Sequence, residues 1–236
     1  MDFSHLKDKV IVIVGASKGI GRETAVLLAN HGVKLVLGAR HIEDLQQSFQ
    51  SENVTVLPVD VRDENSVVQF VNKSIECFKR IDVLINSAGI GTFESILDSS
   101  TEAFDNMIAV NLRGTYFTCK HFGRVMREQK QGQILNLASI AAKTALPGNG
   151  GYTASKFGVH GLTKVLQQEL RREGVRITSV LPGAINSSFW DNVSFDLDVD
   201  NMIPVQSIAE HLIYLICQPK EAVVDEITIM PPNGIL

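Results

Sequence analysis

Cysteine is scarce in this sequence, and its three copies, Cys77, Cys119 and Cys217, are scattered without a CxxC pair. That excludes a disulfide framework and fits a reducing compartment. No apolar run approaches the roughly 20 residues of a membrane span. The opening "MDFSHLKDK" is polar and charged and lacks the apolar segment of a secretory signal. A cytoplasmic protein that stays out of the membrane is the expectation. Basic runs and basic–aromatic interleaving are missing too, and the formal net charge is −4. Neither nucleic acid nor an anionic bilayer is therefore an expected partner. The six histidines are dispersed without metal-ligand spacing, so no metal is expected. Linkers, repeats and low-complexity tracts are absent as well, and residues 1–236 read as one domain.

What the chain does contain is a recurring unit. "KVIVIVG" runs into "GIGRETAVLLANHG", "VKLVLGA" into "HIEDLQQSFQ", and "VTVLPV" into "DENSVVQFVNKSIECFK". "IDVLIN", "GQILNLAS", "VRITSVLP" and "DEITIM" are further short strands. Between them lie helical stretches from about Ser100 to Gln129, from about Tyr152, and from about Ser207 to Cys217. The strand runs are continuously apolar rather than alternating, as in parallel strands covered on both faces. In the third helical segment Val67, Val71, Ile75 and Phe78 share one stripe. Alternation of strand and helix implies right-handed crossovers. The expected fold is α/β: a single-domain Rossmann fold, a doubly wound parallel sheet of about seven strands with helices on both faces.

"GASKGIG", Gly15 to Gly21, lies between the first strand and the first helix. Gly15, Gly19 and Gly21 let the backbone turn tightly and approach a ligand without Cβ interference. The N–H groups at the helix start suit a pyrophosphate. The spacing is GxxxGxG rather than the GxGxxG of the better-known dinucleotide loop, and a turn that only packs helix on strand could carry the same glycines. Its position at the first strand–helix junction favours a nucleotide. The second strand ends in "LVLGAR", with no carboxylate where an NAD site usually has one for the ribose 2′-hydroxyl. Arg40 could instead pair with a 2′-phosphate through its planar fork, and Lys18 adds a second positive charge on that side. NADP(H) is the expected cofactor.

Further along, "GGYTASKFG" sets Tyr152 and Lys156 one helical turn apart, with Cβ atoms about 5–6 Å from each other. An ammonium beside a phenol favours the phenolate and lowers a pKa that is otherwise about 10. Tyr152 is then expected to donate and accept a proton near neutral pH. A surface pair on an ordinary helix is the alternative this motif leaves open.

"GASKGIG", "NSAG" (Asn86 to Gly89), Asn111 in "VNLRG", Ser139 in "NLASIA", "YTASK" and "PGAINS" (Pro182 to Ser187) follow one another along the chain. In that order and spacing they resemble the short-chain dehydrogenase/reductase family in its NADP(H)-type form. Ser87 stands where the family's NNAG turn has its second asparagine, and Ser187 where its PGxxxT segment has threonine. The resemblance implies hydride transfer between a nicotinamide and a carbonyl or alcohol. It implies Tyr152 as general acid or base, and Lys156 as the cation that lowers its pKa and holds the nicotinamide ribose. Ser139 would donate a hydrogen bond to the carbonyl oxygen, and Asn111 would kink its helix and hold a water in a relay to Lys156. Cofactor contacts are implied for Gly15, Ser17, Lys18, Gly19, Ile20 and Gly21, for Arg40, and for Asp60 and Val61 against the adenine. Asn86, Ala88 and Gly89 would line the cofactor beside the fourth strand, with Tyr152 and Lys156 opposite. Pro182 and Gly183 would join Ile185 and Ser187, the latter two at the carboxamide edge.

The family places a substrate lid at about 184–206. Here that segment carries Phe189, Trp190 and Phe195 among Asp191, Asp196, Asp198 and Asp200. An apolar lid that excludes water and a solvated loop with inward-packed aromatics fit it equally. Gly91, Thr92, Phe93, Ile140, Leu146 and Pro147 complete the expected wall, and no arginine or lysine is placed to clamp a substrate carboxylate or phosphate. A small, neutral, mainly apolar ketone or aldehyde reduced with NADPH is expected. The alternatives are an NAD-dependent alcohol or sugar dehydrogenase, a 3-oxoacyl thioester reductase, and a non-enzymatic nucleotide-sensing regulator. The filled catalytic positions argue against the regulator. The tail "IMPPNGIL" lacks the GG-containing ending of family tetramers that reduce 3-oxoacyl carriers. The resemblance also implies a homodimer or homotetramer built on the long helices at about 101–129 and 152–172. Val159, Leu162, Val165 and Leu166 mark a face of the second that could equally be core.

Overall fold

In the first strand, β1 (Val10–Val14), Ile11 and Ile13 enter one core while Val10, Val12 and Val14 enter another. This is why the apolar runs do not alternate: both faces of the sheet are covered. The computed structural model describes residues 4–191 and 198–235. After β1 come α1 (Gly19–Ala29), β2 (Lys34–Ala39), α2 (Glu43–Ser48), β3 (Val54–Pro58), α3 (Glu64–Phe78) and β4 (Val83–Asn86). Then follow α4 (Thr101–Met107), α5 (Gly114–Glu128), β5 (Gly132–Leu137), α6 (Gly150–Leu170) and β6 (Val175–Pro182). The chain continues through β7 (Ile185–Asn186), β8 (Ile203–Pro204), α7 (Val205–Cys217) and β9 (Glu226–Ile229).

Seven strands form one parallel sheet in the order β3-β2-β1-β4-β5-β6-β9. The strand order reverses between β1 and β4, which opens a crevice at the carboxyl ends of the strands. On one face Ala25 and Leu28 of α1 pack with Ile208, Leu212 and Ile216 of α7. On the other, Val67, Phe70 and Val71 of α3 meet Phe122 and Met126 of α5. Phe70 and Phe122 meet edge to face at 5.9 Å, and burying each ring stabilises the fold by about 1.5–3 kcal/mol. Asp63 starts α3 by accepting from Asn65 N at 2.9 Å. In the expected stripe of that helix Val67 and Val71 are buried, whereas Ile75 and Phe78 are only partly so.

The helical stretch from Ser100 to Gln129 is not continuous. A π turn, Ile108–Arg113, separates α4 from α5, and Gly114 N–H reaches back five residues to Ala109 O. The short pair β7–β8, with Ile185 opposite Ile203, was not legible as strands and brackets the segment expected to cover the substrate. On α6, Val159 is buried and Val165 exposed, so the apolar face read there divides between core and surface. Among the described residues no helix is long and apolar enough to cross a membrane.

Candidate active site

The first turns of α6 carry Tyr152 and Lys156 into a cavity of about 600 Å³ at the carboxyl edge of the sheet. Lys156 Nζ lies 5.6 Å from the Tyr152 ring centroid and donates to Leu137 O, at the end of β5, at 2.7 Å. Two residues beyond β5, Ser139 Oγ accepts from Ala141 N at 3.1 Å and bonds the Tyr152 phenol. Strand end and helix start thus hold the three groups against one another, and all three line the cavity.

The electrostatics correct one expectation. Tyr152 keeps some contact with the cavity, yet desolvation pushes its phenol up to about 12, opposed only by the bond to Ser139. Desolvation likewise brings the Lys156 ammonium down to about 8. Burial, not the neighbouring ammonium, sets the direction of the phenol's shift, and that ammonium is bonded to a backbone carbonyl. At neutral pH Tyr152 is a protonated phenol, suited to giving a proton, and Lys156 remains mostly charged.

Asn111 sits in the π turn, buried. Its Oδ1 accepts from Ile90 N at 2.8 Å, and its Nδ2 donates to Ile90 O at 2.8 Å and Ser155 Oγ at 2.9 Å. Ser155 in turn donates to Tyr152 O at 2.7 Å. The carboxamide therefore ties the loop after β4 to the turn that bears Tyr152. Its side-chain polar atoms are engaged by protein, so the carboxamide acts as a clasp between these two segments.

The glycine loop divides its labour. Gly15 has φ +87°, and a Cβ there would overlap the Ala88 backbone; a Cβ on Gly21 would overlap Gly15 O. Those two glycines serve close packing. Gly19 (φ +55°) is open, the nearest heavy atom to a Cβ being Ser187 Cβ at 4.0 Å, and it lines the cavity with Lys18 and Ile20. Across from them stand Gly89, Pro182, Gly183, Ile185 and Ser187. An open glycine at the start of α1, with a lysine and no carboxylate beside it, fits the pyrophosphate of a nicotinamide dinucleotide.

Other expected cofactor residues lie outside the cavity wall. Gly15 and Ser17 are in the turn after β1 and Gly21 at the start of α1, and Gly15 packs against the Ala88 backbone of the loop after β4. Arg40 is exposed beyond β2, and the Asp60 carboxylate is held by Arg62 at 2.6 Å, which keeps its carboxyl below the usual range, with Arg40 contributing. Val61 is buried against Gly114. Asn86 turns away, donating to Asn136 Oδ1 at 2.8 Å, while Asn136 donates to Thr163 Oγ1 at 3.0 Å. Beside them burial pushes the Cys119 thiol up to about 12.

The wall around the Tyr152 ring is aromatic. Phe93 stacks on Trp190 at 4.9 Å and meets Phe189 edge-on at 5.8 Å, and Phe189 lies 5.5 Å from the Tyr152 ring. Trp190 Nε1 donates to Ile185 O at 2.8 Å, and the Phe189 ring fills the space a Cβ on Gly91 would need. Ile140 and Leu146 line the cavity as expected, whereas Gly91, Thr92 and Pro147 do not. Phe195 and Asp196 lie outside the described residues. Sequence reasoning missed Ser87, Leu137, Ala138, Asn149 and Ile235 in the wall, whereas Met202 falls within the expected lid segment. Only the closeness of Ser87, Leu137, Ala138 and Asn149 to the motifs could have pointed to them. Ile235 arrives with a tail that Asn233 Nδ2 ties to Asn201 Oδ1 at 2.9 Å.

A parallel sheet that opens at its switch point on a tyrosine, a lysine and a serine defines an oxidoreductase that works with a nicotinamide cofactor. The family model described as short chain dehydrogenase matches residues 9–197, and the chain belongs to that family. An uncharacterized oxidoreductase of Staphylococcus saprophyticus is 37% identical over 99% of this chain and 100% of its own. Among solved structures, the alcohol dehydrogenase from the archaeon Thermococcus sibiricus, complexed with 5-hydroxy-NADP, is 32% identical with a TM-score of 0.87, over 94% of this chain and 96% of that one. ElxO with NADP bound is 27% identical with a TM-score of 0.86, over 95% and 97%.

Proposed function

We propose that this protein reduces a small, neutral, mainly apolar ketone or aldehyde to the alcohol with NADPH. The observation that carries the reading is the Tyr152 phenol, kept protonated by burial, bonded to Ser139 and facing an aromatic wall. The nicotinamide, when bound, supplies the hydride that forms the new C–H bond at the carbonyl carbon. Ser139 holds the carbonyl oxygen as negative charge grows there. Tyr152 gives its proton to that oxygen, forming the O–H bond. Lys156, 5.6 Å from the ring, offsets the charge left on the phenolate until a proton returns.

The cofactor preference rests on Lys18 in the cavity wall and on Arg40, exposed where β2 ends without a carboxylate. Gly19 and Ile20 would take the pyrophosphate, and Ile185 and Ser187 the carboxamide. The relatives bound to NADP support the same choice. The reading extends to a cytoplasmic homo-oligomer, with Tyr116, Phe157 and Val165, exposed on α5 and α6, as the surface where copies meet.

The test is steady-state turnover of a panel of ketones and aldehydes with NADPH and with NADH. NADPH should give the higher kcat/KM. Tyr152→Phe should lower kcat about 10²–10⁴-fold while NADPH binding, followed by fluorescence, changes less than threefold. A preference for NADH would reject the cofactor assignment, and undiminished turnover by the phenylalanine variant would reject Tyr152 as the acid.

A further inference from the structure

The opposite, amino edge of the sheet holds a second cavity, of about 270 Å³, lined by the residues that lead into β1, β4, β5, β6 and β9. In a chain with a net charge of −4 this pocket is lined by five cations, Lys9, Lys130, Arg171, Arg176 and Lys220, against Asp82 and Asp225. Most of the charge around it is matched. Arg80 bonds Asp82 at 2.5 Å, Arg171 bonds Asp225 at 2.6 Å, and Lys130 bonds Glu173 at 2.6 Å. Lys9, Arg176 and Lys220 are left with no carboxylate at ion-pair distance among the described residues.

These three cations act on one another. Lys9 is half buried, and desolvation lowers its pKa first; Asp82 opposes this, and the charges of Arg176 and Lys220 lower it further. Arg176 is half buried as well, its guanidinium spent on Gln218 O, Pro219 O and Gln133 Oε1, with the charge of Glu221 acting on it. Lys220 reaches Gln131 Oε1 at 3.3 Å. The Lys9 ammonium makes no hydrogen bond at all among the described residues. A partly desolvated ammonium between two like charges is unfavourable unless a group of opposite charge offsets them. With Asp82 and Asp225 already held by Arg80 and Arg171, and Glu221 acting on Arg176, the three cations leave an excess that matches a dianion.

We propose that this cavity binds a small doubly charged oxyanion, hydrogen phosphate or a compact phosphate monoester, on Lys9, Arg176 and Lys220. The site stands apart from the catalytic cleft at the other edge of the sheet, and it does not depend on the carbonyl-reductase reading. Its occupation cancels the repulsion among the three cations and stabilises the folded chain by linkage.

The experiment is isothermal titration of the full chain, presaturated with NADP⁺ so that the glycine loop is occupied, with inorganic phosphate in one arm and glycerol phosphate in the other, at low ionic strength. The expected result is saturable binding in at least one arm. Lys9→Gln combined with Lys220→Gln should weaken it at least tenfold, and Lys9→Arg should keep it within threefold. Tighter binding in the second arm identifies a phosphorylated small molecule as the ligand, and tighter binding in the first the free ion. Thermal melts without phosphate should show the variants folded like the parent. Heats that do not saturate in either arm, or that the double variant leaves unchanged, would overturn the proposal.

Discussion

Lys18, Gly19 and Ile20 reach one wall of the catalytic cleft from consecutive positions, whereas the facing wall collects Phe93, Leu146, Trp190, Met202 and Ile235 from segments far apart in the chain. The first wall is a property of backbone: a strand–helix turn whose glycines pack under it or open above it. The second is a property of side chains brought together by tertiary contacts, with rings 4.9–5.8 Å apart. A wall of backbone tolerates little change at its packed positions. A wall of side chains can exchange one ring for another and alter what it admits.

The sharpest way to break that comparison is inside the loop itself. Gly15→Ala puts a methyl into the Ala88 backbone at φ +87°, combining overpacking with left-handed strain for a cost of about 3 kcal/mol or more. Thermal melts should show Tm falling by about 10 °C. Gly19→Ala meets only Ser187 Cβ at 4.0 Å, so its cost is the φ +55° strain alone, about 1–2 kcal/mol, and its effect should fall on cofactor affinity. Equal losses of Tm in the two variants would mean that Gly15 is no more tightly packed than Gly19.

The same division decides what could be read from sequence. The doubly wound sheet was legible because each β–α unit announces itself within about 20 residues, and the Tyr152–Lys156 pair because one helical turn fixes it. The bond from Asn86 to Asn136 was not legible, because that partner is on the neighbouring strand, in a register that only the sheet supplies. Asn111 was legible as an irregularity in its helix but not as a clasp on Ile90, which is brought to it by the loop after β4. Ile235 carried no local signal at all.

On the aromatic wall Phe189 is the residue to remove. It bridges Phe93 and Tyr152 and covers Gly91. Phe189→Ala should raise KM for apolar ketones about tenfold, the loss of roughly 1.4 kcal/mol of ring contact, with kcat changed less than threefold and Tm by only a few degrees. A fall in kcat with KM unchanged would mean that the ring positions Tyr152 rather than the substrate, and the two walls would not be separable.

Lys156 stands where the walls meet, and its charge tests how deeply the seam is desolvated. Its pKa is about 8 in the folded protein against an ordinary 10.5. Between those values the folded chain has released a proton that the unfolded chain still holds, so this group's contribution to stability rises with pH from about 8 to about 10.5. Tyr152 works in the other direction: its phenol, at about 12 against 10.0, contributes stability that is lost only as pH climbs from about 10 toward 12. Between pH 8 and 10 the lysine therefore acts without the tyrosine. The Tm of the parent protein should gain a few degrees on that of Lys156→Met across this window, a comparison that cancels the titration of every other group. A constant gap would mean that the ammonium keeps its ordinary pKa. The seam would then be far wetter than the bond to Leu137 O and the enclosure of Tyr152 imply.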